Sequence, residues 1–199
     1  DINLARFYLP DLLPEASRVL WLDVDGIVRG DVRTLLSSVF AFPRGDPNAL
    51  VAALVPGKSI MAQADLNATQ LRTLGLHTKV HPSDLIFNAG FMALNLAQWR
   101  KHGITVQLET LMGKMTEMGY RGLPGRSTLR DSQTPMVLVM RSIKGAIVPL
   151  RPHWNVEGLA WRRSLPRESL CEAHFLHWNG PPHKKPWLYG GLGKLSSLW

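Results

Sequence analysis

A single cysteine, Cys171, leaves this 199-residue chain without an internal disulfide and without a cysteine-based metal site. No apolar run approaches the roughly 18 residues that a membrane-spanning helix requires. The opening residues, Asp1-Ile2-Asn3, lack the basic start and the apolar stretch of a signal peptide. Acidic residues are few, 15 against 23 Lys and Arg, which gives a net charge of +8. Even so, no basic run exceeds two residues and no aromatic residues are interleaved with one, so the charge does not describe a nucleic-acid surface. Repeats and low-complexity tracts are also missing, and no interior domain boundary shows. What remains is 45% hydrophobic composition, enough for one domain with one sizeable core.

The charge is spread unevenly. Residues 1–40 carry four Lys and Arg against six Asp and Glu, whereas residues 141–199 carry nine against three. A basic end of this kind suits a phosphorylated small molecule or an acidic polymer.

The acidic end contains the most informative stretch, Arg18-Val19-Leu20-Trp21-Leu22-Asp23-Val24-Asp25-Gly26. Four apolar residues running into two carboxylates read as a buried strand that delivers Asp23 and Asp25 to its carboxyl end, where open α/β sheets bind ligands. Gly26 permits a bend there that turns both carboxylates on one target. Before this strand, residues 4–13 suggest a short helix with Leu4, Phe7 and Tyr8 on one face, interrupted at Pro10. After it, Asp31 is placed to cap a helix through Leu36, and Leu50–Val55 reads as a second buried strand. Residues 58–84 read as a surface excursion with weak helical signal around 64–74.

Residues 85–96 read as a strand interrupted at Asn88-Ala89-Gly90, where a glycine marks a bulge or a close approach of backbone to ligand. A helical turn over 97–102 ends at Gly103. Thr105 is then expected to cap a helix through Met118, with Leu108, Leu111, Met112 and Met115 facing the core. Residues 119–130 form a glycine- and arginine-rich loop, and 135–140 and 146–150 are expected as short strands that finish the sheet.

Two carboxylates and an imidazole suit Mn²⁺ or Mg²⁺. His177 is the best placed third ligand, because it follows the apolar run Ala173–Leu176 and precedes a glycine by three residues. Gly180 lets backbone approach a phosphate, and Lys184 or Lys185 can neutralise its charge. A metal with a lysine meets the needs of a departing diphosphate.

With these elements in this order the chain resembles glycosyltransferase family 8, the retaining sugar-nucleotide transferases of GT-A fold, and within it the plant galacturonosyltransferases and their relatives. The resemblance rests on the D-x-D strand, Phe87-Asn88-Ala89-Gly90 followed by Leu96–Thr105, His153-Trp154-Asn155-Val156-Glu157-Gly158-Leu159, His177-Trp178-Asn179-Gly180 and Lys185-Pro186-Trp187. It implies an α/β domain with a mixed central sheet flanked by helices. It further implies a UDP-sugar donor, a glycan acceptor and a Golgi lumenal setting, with any membrane anchor outside these residues. Asp23, Asp25 and His177 would hold the metal, while Gly180 and Lys185 would hold the phosphates. Asn88, Ala89 and Gly90 would border the donor sugar, and Trp154 and Asn155 would form a structural or acceptor-side element. Asp131 and Gln133 are the catalytic candidates, standing where many members carry an Asp-Gln pair. The gap from Gly180 to Lys185 is longer than usual in the family, which leaves His183 or Lys184 able to share the phosphate role. The family's first strands, which form the base pocket, have no counterpart in these residues.

Two rival readings remain. Asp23-Val24-Asp25-Gly26 also resembles the motif of haloacid-dehalogenase phosphatases, but the distal acidic pair that such chemistry needs is missing after Asp84. An inactive or partner-dependent transferase-like subunit would keep the metal loop without a base pocket.

Overall fold

A computed structural model describes residues 2–41, 45–55, 72, 87–119, 132–180, 185 and 187. A 3₁₀ segment, Ile2–Tyr8, leads into helix α1, Leu9–Leu12, with Pro10 in its first turn. There the missing N–H of proline costs nothing, so Pro10 opens a helix and does not interrupt one. Strand β1 is Arg18–Leu22 and strand β2 is Gly26–Val28. Helix α2, Val32–Val39, begins where the Asp31 side chain accepts from the Arg33 backbone N–H, as its capping role requires. Strand β3 is Val51–Ala53 and strand β4 is Phe91–Asn95. Helix α3, Leu96–Lys101, and helix α4, Ile104–Glu117, follow directly. Helix α5 is Gln133–Ser142, strand β5 Ile147–Pro149, strand β6 Val156–Glu157, helix α6 Arg167–Cys171 and strand β7 Phe175–His177.

The strands make two sheets. The first has the order β1-β4-β3-β5, with β4 antiparallel to both neighbours and β5 parallel to β3. The second has the order β2-β7-β6, with β2 antiparallel and β6 parallel to β7. All five residues of β4 are buried, and its two faces feed different cores. Met92 and Leu94 join Phe7, Trp99, Leu108, Leu111, Met115 and residues 136–140 of α5. Phe91 and Ala93 point the other way, against Leu35, Val39, Phe40 and Phe175. This is the two-residue period of a strand covered by helices on both sides.

Several expectations change. Residues 135–140 are helical, as part of α5, although they read as a strand. Thr134 to Met140 are all buried, so the segment has no polar face and its sequence carries no helical period. Thr105 does not cap α4. Gly103, at φ 59°, holds that position in the left-handed region, and Thr105 is the second residue of the helix. Its hydroxyl donates to the Phe7 carbonyl (2.8 Å) and accepts from Trp99 Nε1 (3.1 Å), tying the amino-terminal segment to α3. Tyr8 is exposed and donates to Glu109 Oε1, whereas Phe7 is buried in the core and Leu4 packs against it. The expected excursion at 58–84 and loop at 119–130 lie almost entirely outside the described residues. Among the described residues no helix is long and apolar enough to cross a membrane.

Asn95 joins β4 to α3. Its side-chain oxygen accepts from the Gln98 N–H (3.2 Å), its amide donates to the Pro47 carbonyl (3.1 Å), and the residue is 4% exposed. Asn95→Ala removes both bonds and is expected to cost about 1.5 kcal/mol. For a chain of this size that lowers the melting temperature by roughly 3–6 °C. Asn95→Asp keeps the cap and is expected to lose about half as much, as read by thermal denaturation followed by circular dichroism.

Candidate active site and metal centre

The site forms where the chain leaves one sheet for the other. Asp23 follows β1, and its backbone N–H donates to the Gly90 carbonyl (2.8 Å) at the head of β4. Gly26 then opens β2, where a side chain would meet the Phe175 ring at 2.0 Å. Val24 and Asp25 form a turn between the two strands, and Val24, between the two carboxylates, is wholly exposed. Asp23 and Asp25 therefore turn inward together.

The second sheet supplies the histidine. Gly26 pairs with His177 across β2 and β7, and the Trp178 N–H donates to the Asp25 carbonyl (2.8 Å). His177 is 2% exposed, and its Nε2 lies 3.1 Å from Asp25 Oδ1. One ligand atom from each of Asp23, Asp25 and His177 falls within 4.8 Å of the others. Gly90 closes this space from below: a Cβ there would sit 2.2 Å from His177 Cε1 and 2.9 Å from Asp23 Oδ2.

Cations balance the carboxylates. Lys185 Nζ donates to Asp25 Oδ2. Burial would push the Asp25 carboxyl up, but the hydrogen bonds and charges of His177 and Lys185 outweigh it and hold the group well below the usual carboxylate range. Asp23 Oδ1 accepts from Trp21 Nε1 (2.9 Å) and from Arg6 (3.3 Å). Arg6 is 3% exposed, and its guanidinium lies over the Trp21 ring at 4.5 Å and donates to the Ala89 carbonyl (2.8 Å). Burial lowers the Arg6 pKa, and Asp23 opposes that change by charge and hydrogen bond.

The other expected residues distribute as follows. The Ala89 N–H donates to Gln133 Oε1 (3.1 Å), which brings the start of α5 to the site. Asn88 Oδ1 accepts from the Gly90 N–H (2.8 Å) and from Asn155 Nδ2 (3.1 Å). Asn155 Oδ1 faces His177 Nδ1 at 3.2 Å, so Asn155 stands behind the cluster. Trp154 packs its ring on His174 (4.3 Å) and Phe91 (6.4 Å), which is a structural position. Gly180, at φ 137°, lies against Ala160 and Trp161. Asp131, His183 and Lys184 lie outside the described residues.

Three residues of the site escaped the sequence reading: Arg6, Glu157 and Asn179. Arg6 had one signal, a lone cation within the apolar stretch Leu4–Tyr8, because a buried guanidinium must find a carboxylate or carbonyl partner. Glu157 and Asn179 stood inside quoted motifs with no role attached. Both are joined to Asn88 or to each other, through the Asn88–Glu157 bond and the Asn179–Glu157 bond of 3.4 Å.

The donor set fits a divalent cation. Asp25 Oδ1 and a neutral His177 Nε2 would both offer lone pairs across 3.1 Å, next to a second carboxylate, and such a meeting requires a cation or a proton between them. Oxygen and imidazole ligands suit Mn²⁺ or Mg²⁺.

The profile of glycosyl transferase family 8 matches residues 1–191. The chain belongs to that family. It is 31% identical to glycosyltransferase 8 domain-containing protein 1 of Danio rerio, covering 100% of this chain and 54% of that protein. It is 31% identical to glycosyltransferase 8 domain-containing protein 2 of Homo sapiens, covering 100% of this chain and 56% of the relative. The chain thus spans about half the length of the curated relatives it matches. These relatives are animal proteins, so they carry the family and not the plant galacturonosyl branch that the motifs resemble. Among solved structures, the galactosyltransferase LgtC with donor and acceptor sugar analogues superposes with a TM-score of 0.56 at 18% identity, covering 98% of this chain and 64% of that one. Mouse xyloside xylosyltransferase 1 gives a TM-score of 0.57 at 19% identity, covering 89% and 63%. The fold is the GT-A fold.

Gly90→Ala is expected to displace the His177 ring and weaken Mn²⁺ binding by about tenfold or more, since changes to the groups that orient a metal's ligands cost roughly 10–100-fold. Electron paramagnetic resonance titration of free Mn²⁺ reads the change, and an unaltered affinity would show that the ring and the glycine are not in contact.

Proposed function

We propose that residues 1–199 belong to a family 8 catalytic domain. In this reading the domain transfers a sugar, with retention, from a UDP-sugar to a glycan acceptor with the help of Mn²⁺ or Mg²⁺. The observation that carries the proposal is the convergence of Asp23, Asp25 and His177 from two sheets with Lys185 on the outer oxygen of Asp25. Asp23, Asp25 and His177 would hold the cation, which neutralises charge on the diphosphate as the sugar leaves. Lys185 would exchange the Asp25 carboxylate for a phosphate oxygen, with Gly180 alongside. Asn88-Ala89-Gly90 would border the donor sugar, Arg6 would fix Asp23 and Ala89, and Asp131 and Gln133 would be the catalytic candidates that the family resemblance implies. In a retaining transfer of this kind the departing diphosphate takes the acceptor proton, so no side-chain base is assigned.

A galacturonosyl donor and a Golgi lumenal setting are the finer parts of the proposal, supported by the motif resemblance. Two structural neighbours, a galactosyltransferase and a xylosyltransferase, add galactosyl and xylosyl donors to the set worth testing. The Lys185–Asp25 ion pair also favours a second reading, a subunit whose own lysine fills the cation position until a partner draws it away.

The test is release of UDP from UDP-galacturonic acid, UDP-galactose, UDP-glucose and UDP-xylose, with and without an oligosaccharide acceptor, in Mn²⁺ and after chelation. One donor is expected to turn over, with loss of about 10²-fold or more on chelation or in Asp25→Ala. Equal rates in Asp25→Ala would sink the assignment of the site.

Lys185→Ala separates its two roles. Without the competing ammonium, Mn²⁺ is expected to bind about tenfold tighter to the donor-free protein, while kcat falls roughly 10²-fold. Weaker Mn²⁺ binding in this variant would place Lys185 among the groups that hold the metal site together. An unchanged kcat would remove it from the diphosphate.

A further inference from the structure

Three buried or half-buried side chains run from the back of the cluster to a carboxylate. His177 Nδ1 faces Asn155 Oδ1 at 3.2 Å, Asn155 Nδ2 donates to Asn88 Oδ1 (3.1 Å), and Asn88 Nδ2 donates to Glu157 Oε2. His177, Asn155 and Asn88 are 2%, 1% and 8% exposed, so water does not replace any of these bonds. The direction of each is set at the ends. A carboxylate can only accept, which turns the Asn88 nitrogen toward Glu157. The Gly90 N–H can only donate, and it meets the Asn88 oxygen at 2.8 Å. With Asn88 held in this sense, its oxygen takes the Asn155 nitrogen and leaves the Asn155 oxygen for His177 Nδ1. An oxygen opposite Nδ1 keeps the proton there, and Nε2 is left to present its lone pair toward Asp23 and Asp25.

Glu157 is itself fixed from the outside. Asn179 Nδ2 reaches Oε2 at 3.4 Å, Arg162 approaches Oε1 at 3.7 Å, and Asn179 Oδ1 accepts from the Gly158 N–H. Asn179, two residues past β7, and Arg162 thus hold one carboxylate of β6 that makes no bond to Asp23 or Asp25 among the described residues.

We propose that Glu157 is a positioning residue of the metal centre, acting through Asn88 and Asn155 to set which nitrogen of His177 faces the cation. The inference rests on the metal site proposed above. It makes Asn155 and Asn88 parts of one relay and assigns Asn155 a place behind the metal, not on the acceptor.

The relay can be cut at one end and repaired at the other. Glu157→Met removes the acceptor at similar volume, frees Asn88 to turn over and is expected to weaken Mn²⁺ binding roughly 10–100-fold. Glu157→Gln keeps an acceptor and is expected within about threefold of the parent. Asn155→Leu removes the oxygen opposite Nδ1 and is expected to match Glu157→Met. Asn155→Asp supplies an acceptor whichever way Asn88 lies, so Glu157→Met placed on Asn155→Asp is expected to cost no further affinity.

Mn²⁺ affinity by electron paramagnetic resonance is the readout, with melting temperature followed alongside and Asp25→Ala as control. Parent-like binding by Glu157→Met, or a full loss that Asn155→Asp does not repair, overturns the relay. If Glu157→Met does not fold, Glu157→Ala is read in the parent and on Asn155→Asp in its place: a loss that Asn155→Asp repairs supports the relay, and parent-like binding or an unrepaired loss overturns it. Loss in Asp25→Ala with no effect at Glu157 rejects the relay and leaves the metal site standing. No loss in Asp25→Ala rejects the site itself, and the relay with it.

Discussion

Two carboxylates and a buried imidazole share one small space, and that constrains what can surround them. Each would be costly there alone, since a charge taken out of water is tolerated only when paired and hydrogen-bonded. Much of the surrounding structure supplies those partners. Arg6 reaches Asp23 from the amino-terminal segment, Lys185 reaches Asp25 from the far end of the chain, and Trp21 completes Asp23 from within β1. Buried Arg6 also holds the Ala89 carbonyl, so the residue that balances a charge fixes the turn beside it. The cluster is in this sense a folding problem first, and its solution is the scaffold of a cation site.

The two-sheet arrangement follows from the same constraint. A strand delivers one carboxylate to its end, but a third ligand from another direction requires a second surface. Gly26 lets the chain pass close beneath the Phe175 ring and start that second surface within one residue of Asp25. The Trp178 N–H and the β2–β7 pairing then lock His177 at the height of Asp25. Glycine at position 90 removes the last obstruction.

Much of this was legible in the sequence where local chemistry is strong. The apolar run before Asp23-Val24-Asp25, the cap at Asp31, the break at Asn88-Ala89-Gly90 and the short strand before His177 all carry their signal within a few residues. Helix α5 was misread because burial on every side erases the polar face that would reveal a helical period. Thr105 was misread because a hydroxyl beside a helix start looks like a cap, while its partners, Phe7 and Trp99, are supplied by tertiary packing. Arg6, Glu157 and Asn179 were overlooked for a related reason. Their meaning lies in partners 17, 69 and 22 residues away, which no local pattern encodes.

Those separations bear on how the molecule reaches its native state. Asp25 meets His177 across 152 residues and Lys185 across 160. Contacts so distant in sequence carry a large loop-closure cost and belong to slowly forming topologies. A partly folded chain with β1 paired to β4 already holds Asp23 and Gly90 together, yet it still lacks the third ligand until β7 has docked on β2. The assembled cluster is therefore a reporter of long-range order: a spectroscopic probe bound there during refolding would register the docking of β7 on β2, which brings in the third ligand.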